Sequence, residues 1–156
     1  MASSAITAER TVTITRVLDA PRALVFQLWT EPRHVAQWWG PRGFTNPICE
    51  LDVRPGGAIR IVMRAPDGTE YPMRGVFREI VEFERLVFTG IAEDERGRAQ
   101  LEALTTVTFA EHDGKTKLAV HARAVGLTAA AARMLEGMQA GWTQSLERLA
   151  AHMAGA

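Results

Sequence analysis

From Thr128 to about Met153 the chain carries no proline and abundant alanine, a composition that favours helix. Thr128 is placed to act as its N-cap. At about 1.5 Å per residue, one unbroken helix over this stretch would run close to 40 Å. Its apolar stripe comprises Met134/Leu135, Met138, Trp142, Ser145/Leu146, Leu149 and Met153. A stripe of that length must be buried against something equally wide. The rest of the chain offers one such partner, a β-sheet.

The sheet is written in the preceding residues. RTVTITRVL (10–18) alternates β-branched residues, a strand signal. In DAPRALVFQLWT the period changes. Pro21 suits a first helical turn, and Leu24, Val25, Leu28 and Trp29 recur at spacings of three and four. Pro32 opens a second short helix with Val35, Trp38 and Trp39, which Gly40-Pro41 stops. Six strands follow: PICELDV, AIRIVMR, MRGVFREIVEF, RLVFTGIA, LEALTTVTFA and TKLAVHARAV. Turn signals at Pro55-Gly56-Gly57, Pro66-Asp67-Gly68 and Asp113-Gly114 separate them, with a short connection around Glu84 and a solvated loop, EDERGR. The expected class is α+β in the order β-α-α-β(6)-α, a curved antiparallel sheet around a long C-terminal helix. Residues 1–9 read as a flexible arm and 10–156 as one domain, which suits a chain of 156 residues.

Composition narrows the function classes. Eighteen basic and 18 acidic side chains give no net charge, which speaks against nucleic acid as a partner. No window reaches about 18 apolar residues, so no membrane insertion is expected. MASSAITAER has neither a basic nor an apolar leader region. Cys49 is the one cysteine, so no internal disulfide forms and a cytoplasmic location is expected.

Several strings, in this order, resemble one family: TRVLDAPRALVFQLWTEP, WWGP, CELDVRPGG, PDGTEYPMRGVFREIVEFERLVFT and GWTQSLERLAAHM. It is the family homologous to the activator of the heat-shock-protein-90 ATPase, within the START-like (SRPBCC) superfamily. The resemblance runs from about Thr11 to Met153. It implies a helix-grip fold with a cavity between the long helix and the sheet, in which superfamily members bind or transform lipids, polyketides or hormones. The eukaryotic activator has a further N-terminal domain for which this chain has no room, so a chaperone partner is not expected.

Metal and covalent chemistry find little support. His34, His112, His121 and His152 are scattered, with no ligand spacing, and neither a metal nor a cofactor is expected. Ser145 is the one serine outside the N-terminal arm and reads as a small packing residue on the helix. Lys115 and Lys117 flank a turn, and Cys49 lies in an apolar strand, where a small core residue is expected ahead of the alternative, a thiolate nucleophile. Glu79 is the catalytic candidate. On strict alternation it shares a face with Gly75, Phe77 and Val81, where a cavity would raise its pKa and fit it to carry a proton. The competing reading is a rim carboxylate paired with Arg74 or Arg60.

Phe26, Trp29, Trp38, Trp39, Phe44, Met63, Met73, Phe88, Met138 and Trp142 form the candidate ligand-binding set. Aromatic rings in the short-helix region can close over a ligand, and methionines adapt to irregular shapes. Gly137 and Gly141 each cost a helix about 1 kcal/mol, which points to close approach of another element. Neighbouring helical positions diverge by about 100°, so one of Trp38 and Trp39 should be surface or gate. An exposed Trp38 or Trp39, or the alanine-rich helix face, offers a homodimer patch. The function expected is binding of an apolar or amphipathic small molecule. The alternatives are a cyclase- or hydrolase-like enzyme using Glu79, helped by an arginine or Tyr71, and a chaperone ATPase-stimulating module.

Overall fold

Period-two alternation makes every strand two-faced, and the computed structural model, which describes residues 8–155, turns the apolar faces of all seven strands into one sheet. The strands are β1 (Ala8–Leu18), β2 (Thr45–Leu51), β3 (Ala58–Arg64), β4 (Glu70–Val81), β5 (Arg85–Glu93), β6 (Ala99–His112) and β7 (Lys115–Gly126). Their order across the sheet is β1-β7-β6-β5-β4-β3-β2, antiparallel throughout. Consecutive strands from β2 to β7 are hairpin neighbours. β1 and β2, adjacent in sequence, occupy opposite edges. Helices α1 (Arg22–Thr30) and α2 (Pro32–Trp38) carry the chain between them. Of the expected arm, residues 1–7 lie outside the described residues, and Ala8 and Glu9 are already strand, paired with Gly126 and Val125.

The C-terminal segment departs from the expected single helix. It forms α3 (Ala131–Glu136) and α4 (Met138–Ala154), broken at Gly137, whose φ of −86° and ψ of −4° leave the regular helical path. The N-cap of α3 is Ala130 rather than the expected Thr128, although the Thr128 hydroxyl accepts from the Ala131 N–H at 3.3 Å. With 17 residues, α4 is about 25 Å long rather than about 40 Å. The break lets α3 pack on β1 and β7 while α4 packs on α2, α1 and β1. A Cβ at Gly137 would meet only its own helix at ordinary distance, and one at Gly141 would meet nothing within 4 Å. Close approach therefore explains neither glycine.

Large side chains fill the interior beneath α1 and the middle of α4. Cross-strand neighbours Leu86, Val107, Val120 and Ile14 make one continuous buried row across four strands. Phe109, Leu118, Leu146 and Leu149 complete it. Trp38 is wholly enclosed there, its indole N–H donating to the Leu28 carbonyl at 2.9 Å. Its ring centroid lies 4.6 Å from that of Trp29. It is neither a surface residue nor available as a dimer patch, because a donor so deeply buried needs an internal acceptor.

Arg148 on α4 fastens the segment after α2. Its Nη1 donates to the carbonyls of Trp39, Gly40 and Pro41 at 2.9–3.0 Å, and its Nη2 to those of Gln37 and Phe44 at 3.0 and 3.1 Å. Burial lowers its pKa below that of a free guanidinium. Around it the Gly40 N–H donates to Ser145 Oγ at 3.0 Å and the Arg42 N–H to Gln144 Oε1 at 3.0 Å, while Arg42 pairs with Glu147. Gly40 sits at φ +93°, and a Cβ there would come within 2.9 Å of Met63 Sδ, so this turn requires glycine. Toward the end of α4, His152 Nε2 meets His34 Nδ1 of α2 at 2.9 Å.

Lysine is a point charge with three donors and cannot satisfy five carbonyls in a fork. Arg148→Lys should therefore cost about 1.5–3 kcal/mol, read as a lower urea midpoint with unchanged slope. Burial, and then the neighbouring His34, hold His152 below its ordinary 6.5, so the unfolded chain takes up that proton more readily than the folded one. Stability should be complete above pH 6.5 and decline as pH falls below it toward the folded-state pKa. A His152→Gln variant followed by thermal melting should lose that slope.

Candidate functional site

Alternation places Phe88, Gly90 and Ala92 of β5 on the same face as Leu101, Ala103 and Thr105 of β6. The register sets Gly90 opposite Ala103 and Ala103 opposite Ala124 of β7. This row contains almost no side chain, in contrast to the Leu86–Val107–Val120 row nearer the other end. The helical wall above it also carries a gap, since a Cβ at Gly141 would enter open space. Between the two lies a hollow of about 260 Å³. One rim is the Trp39-Gly40-Pro41 turn held by Arg148, and the opposite wall includes Met134, Met138 and Trp142 from α3 and α4.

Six of the ten sequence candidates meet around this hollow: Trp39, Met63, Met73, Phe88, Met138 and Trp142. Trp39 has left the helix, at φ −65° and ψ 133°, and its ring lies edge-on to Trp142 with centroids 5.6 Å apart. That departure separates it from Trp38, a different cause from the 100° helical step. The other four lie elsewhere. Phe26 packs edge-on to Phe109 and Phe83 at 5.3 and 5.7 Å, and Trp38 fills the core. Trp29 stacks on Trp142 at 6.3 Å from behind, its buried indole N–H without a partner among the described residues, beside a separate void of about 20 Å³. Phe44 leans on Tyr71, a half-exposed residue at the mouth, with centroids 6.0 Å apart.

Sequence reasoning missed the residues that make the space by being small, Gly90, Ala103, Ala124 and the cavity role of Gly141. It also missed Met134 and Thr105. Met134, Met138, Gly141/Trp142 and Ser145 do follow helical spacing, so that arc was legible in retrospect. Ser145 is 5% exposed and its Oγ accepts from Gly40, so it joins the helix to the rim rather than merely permitting close packing.

Glu79 does not reach the hollow. A bulge between Phe77 and Glu79 breaks the alternation, and the carboxylate, 46% exposed, pairs with Arg85 at 2.6 Å. The expected partner Arg74 binds Glu93 instead. Cys49 packs half-buried against the core, and burial, reinforced by Glu50, pushes its thiol up to about 11. A thiolate nucleophile at neutral pH is therefore absent from this position. His121 lies on the outer face, its Nδ1 3.0 Å from the Thr13 hydroxyl. Among the described residues no group of three or more His, Cys, Asp or Glu is arranged to hold a metal ion. Nor is any helix among them long and apolar enough to cross a membrane.

Comparison with known proteins bears on this geometry. The family described as Activator of Hsp90 ATPase homolog 1-like protein matches residues 19–154. Among solved structures, an uncharacterized protein from Rhizobium leguminosarum is 27% identical with a TM-score of 0.81, covering 96% of this chain and 97% of that one. A protein from Chromobacterium violaceum is 30% identical with a TM-score of 0.74, covering 90% and 94%. The AHSA1 protein from Silicibacter pomeroyi shares the fold at 24% identity and a TM-score of 0.77, covering 93% and 98%. A search of curated proteins found no match. With the seven-stranded sheet gripping its C-terminal helices, the chain belongs to the family of Activator of Hsp90 ATPase homolog 1-like proteins and has the START-like helix-grip fold.

Proposed function

We propose that this protein binds an apolar or amphipathic small molecule in the hollow between the sheet and α3–α4. The observation that carries the reading is the coincidence of two sets of missing side chains. Gly90, Ala103 and Ala124 lower the sheet wall directly below a helix whose Gly141 leaves open space. The Met73 side chain lies over Gly90, its Sδ 3.3 Å from where a Cβ would stand, whereas Gly141 faces open space and alone costs about 1 kcal/mol of helix stability. Such a cost is explained when another molecule supplies the contacts. The volume of about 260 Å³ lies near the small end of ligand sites, which run from about 300 to 1,000 Å³. Four methionines, Met63, Met73, Met134 and Met138, give the wall a polarizable lining that adapts to shape.

Turnover has less support than uptake. The wall carries no carboxylate, imidazole, amine or thiol to move a proton, and its titratable group is the Tyr71 phenol at the mouth.

Gly141→Ala and Gly141→Leu separate fold from function. The alanine variant should gain about 0.5–1 kcal/mol, since its methyl enters open space on a helix. The leucine variant should remain folded while its side chain occupies the hollow. Native mass spectrometry should then find an apolar molecule retained by the wild type and absent from Gly141→Leu. Affinity for an added ligand should fall by about tenfold or more, for which roughly 1.4 kcal/mol of lost contact suffices. Unchanged affinity in Gly141→Leu would place binding elsewhere.

A further inference from the structure

None of the nineteen residues lining the hollow is a Lys, Arg, Asp, Glu or His. The next position in the Gly90–Ala103–Ala124 row is Arg10 of β1, opposite Ala124, and it is not part of the wall. An ionised ligand there would lose its hydration without gaining a counter-charge, a cost that grows steeply in an apolar enclosure. The hollow therefore selects against carboxylates and ammonium groups.

The polar groups that do line it have a common character. Thr105 is 3% exposed, and among the described residues its hydroxyl makes no hydrogen bond. The hydroxyl is not sealed off, since the fully buried side-chain polar atoms without a partner among the described residues are Trp29 Nε1 and Asn46 Oδ1, so a molecule in the hollow can reach it and supply the partner it lacks. Ser145, 5% exposed, already uses its oxygen as acceptor for Gly40, which leaves its proton to donate. Trp39 and Trp142 can only donate. The Thr105 and Tyr71 hydroxyls can accept as well as donate, but Ser145 and the two indoles have only donors left, so donors outnumber acceptors in the wall.

Resting on the proposed function above, we infer that the ligand is electrically neutral and bears a carbonyl oxygen that accepts a hydrogen bond from Thr105. The apolar remainder of the molecule lies against the methionines and the two indoles, and the carbonyl turns toward β6. Phe88 is the cross-strand neighbour of Thr105, so an aromatic ring flanks the anchoring hydroxyl.

Three compounds of nearly one shape test this: 2-acetylnaphthalene, 2-isopropylnaphthalene and 2-naphthoate. They place a ketone, a purely apolar group and a carboxylate on the same ring. Equilibrium dialysis should show the ketone and the hydrocarbon binding the wild type and the carboxylate binding at least about tenfold more weakly. Thr105→Val removes the hydroxyl and keeps the shape. It should weaken the ketone by about fivefold to tenfold and leave the hydrocarbon unchanged or slightly tighter. Because no protein partner is lost, the melting temperature of Thr105→Val should hold or rise. A fall would mean that the fold uses the hydroxyl, and would overturn the inference. Equal loss of ketone and hydrocarbon, or no loss of either, would remove Thr105 as the anchor while leaving cavity binding intact. Carboxylate binding as tight as the ketone would overturn the requirement for neutrality. If none of the three binds at any accessible concentration, the proposed function itself fails, and this inference with it.

Discussion

One guanidinium holds the architecture of the hollow together. The last turn of α2 and the residues beyond it present carbonyls that no helix or sheet ladder can satisfy. Arg148 meets five of them from across the interior. A cation beside a helix C-terminus also opposes the helix dipole favourably. The consequence is geometric. With the backbone from Gln37 to Phe44 pinned to α4, Trp38 is driven into the core and Trp39 is turned to the rim. Ser145, one turn earlier on α4, completes the clasp by accepting from Gly40. Together with the Arg42 N–H bond to Gln144, this fixes the distance of the rim turn from the helix.

The rest follows from side-chain volume along the strands. Both ends of the sheet face have the same alternation and hydrogen bonding, yet one is solid and the other hollow. Where Leu86, Val107, Val120 and Ile14 lie in a cross-strand row, branched side chains fill the layer to ordinary interior density. Where Gly90, Ala103 and Ala124 lie in a row, the residues themselves raise at most a methyl from the sheet, and the flexible Met73 side chain lies over Gly90. The break at Gly137 lets α3 settle on β1 and β7 while α4 crosses toward α2, so the helical layer spans the space without collapsing into it.

Much of this was legible before folding. Strand count, hairpin spacing and the two short helices were readable because turn residues and apolar periods are local. AIRIVMR appears as β3 with the expected bounds. The β4–β5 connection was harder: its left-handed residue is Phe83, at φ +64°, so no glycine marks the turn. The candidate site was half legible. Large aromatic and methionine residues announce an apolar interior but do not say whether it is wall or core, and Phe26, Trp29 and Trp38 became core. Glu79 was placed by assuming an alternation that a bulge interrupts.

The sequence by itself determined the α+β class, the order of elements, the neutral surface and the abundance of large apolar groups destined for the inside. Each of these depends on neighbours within about a dozen residues along the chain. Tertiary structure alone decided that β1 closes against β7, that the final helix breaks, and that three small residues on three strands line up beneath a glycine on α4. A cavity is a property of what several distant segments fail to fill together. It depends on cross-strand register and on the height of the helix above the sheet, and no single stretch of the sequence encodes either.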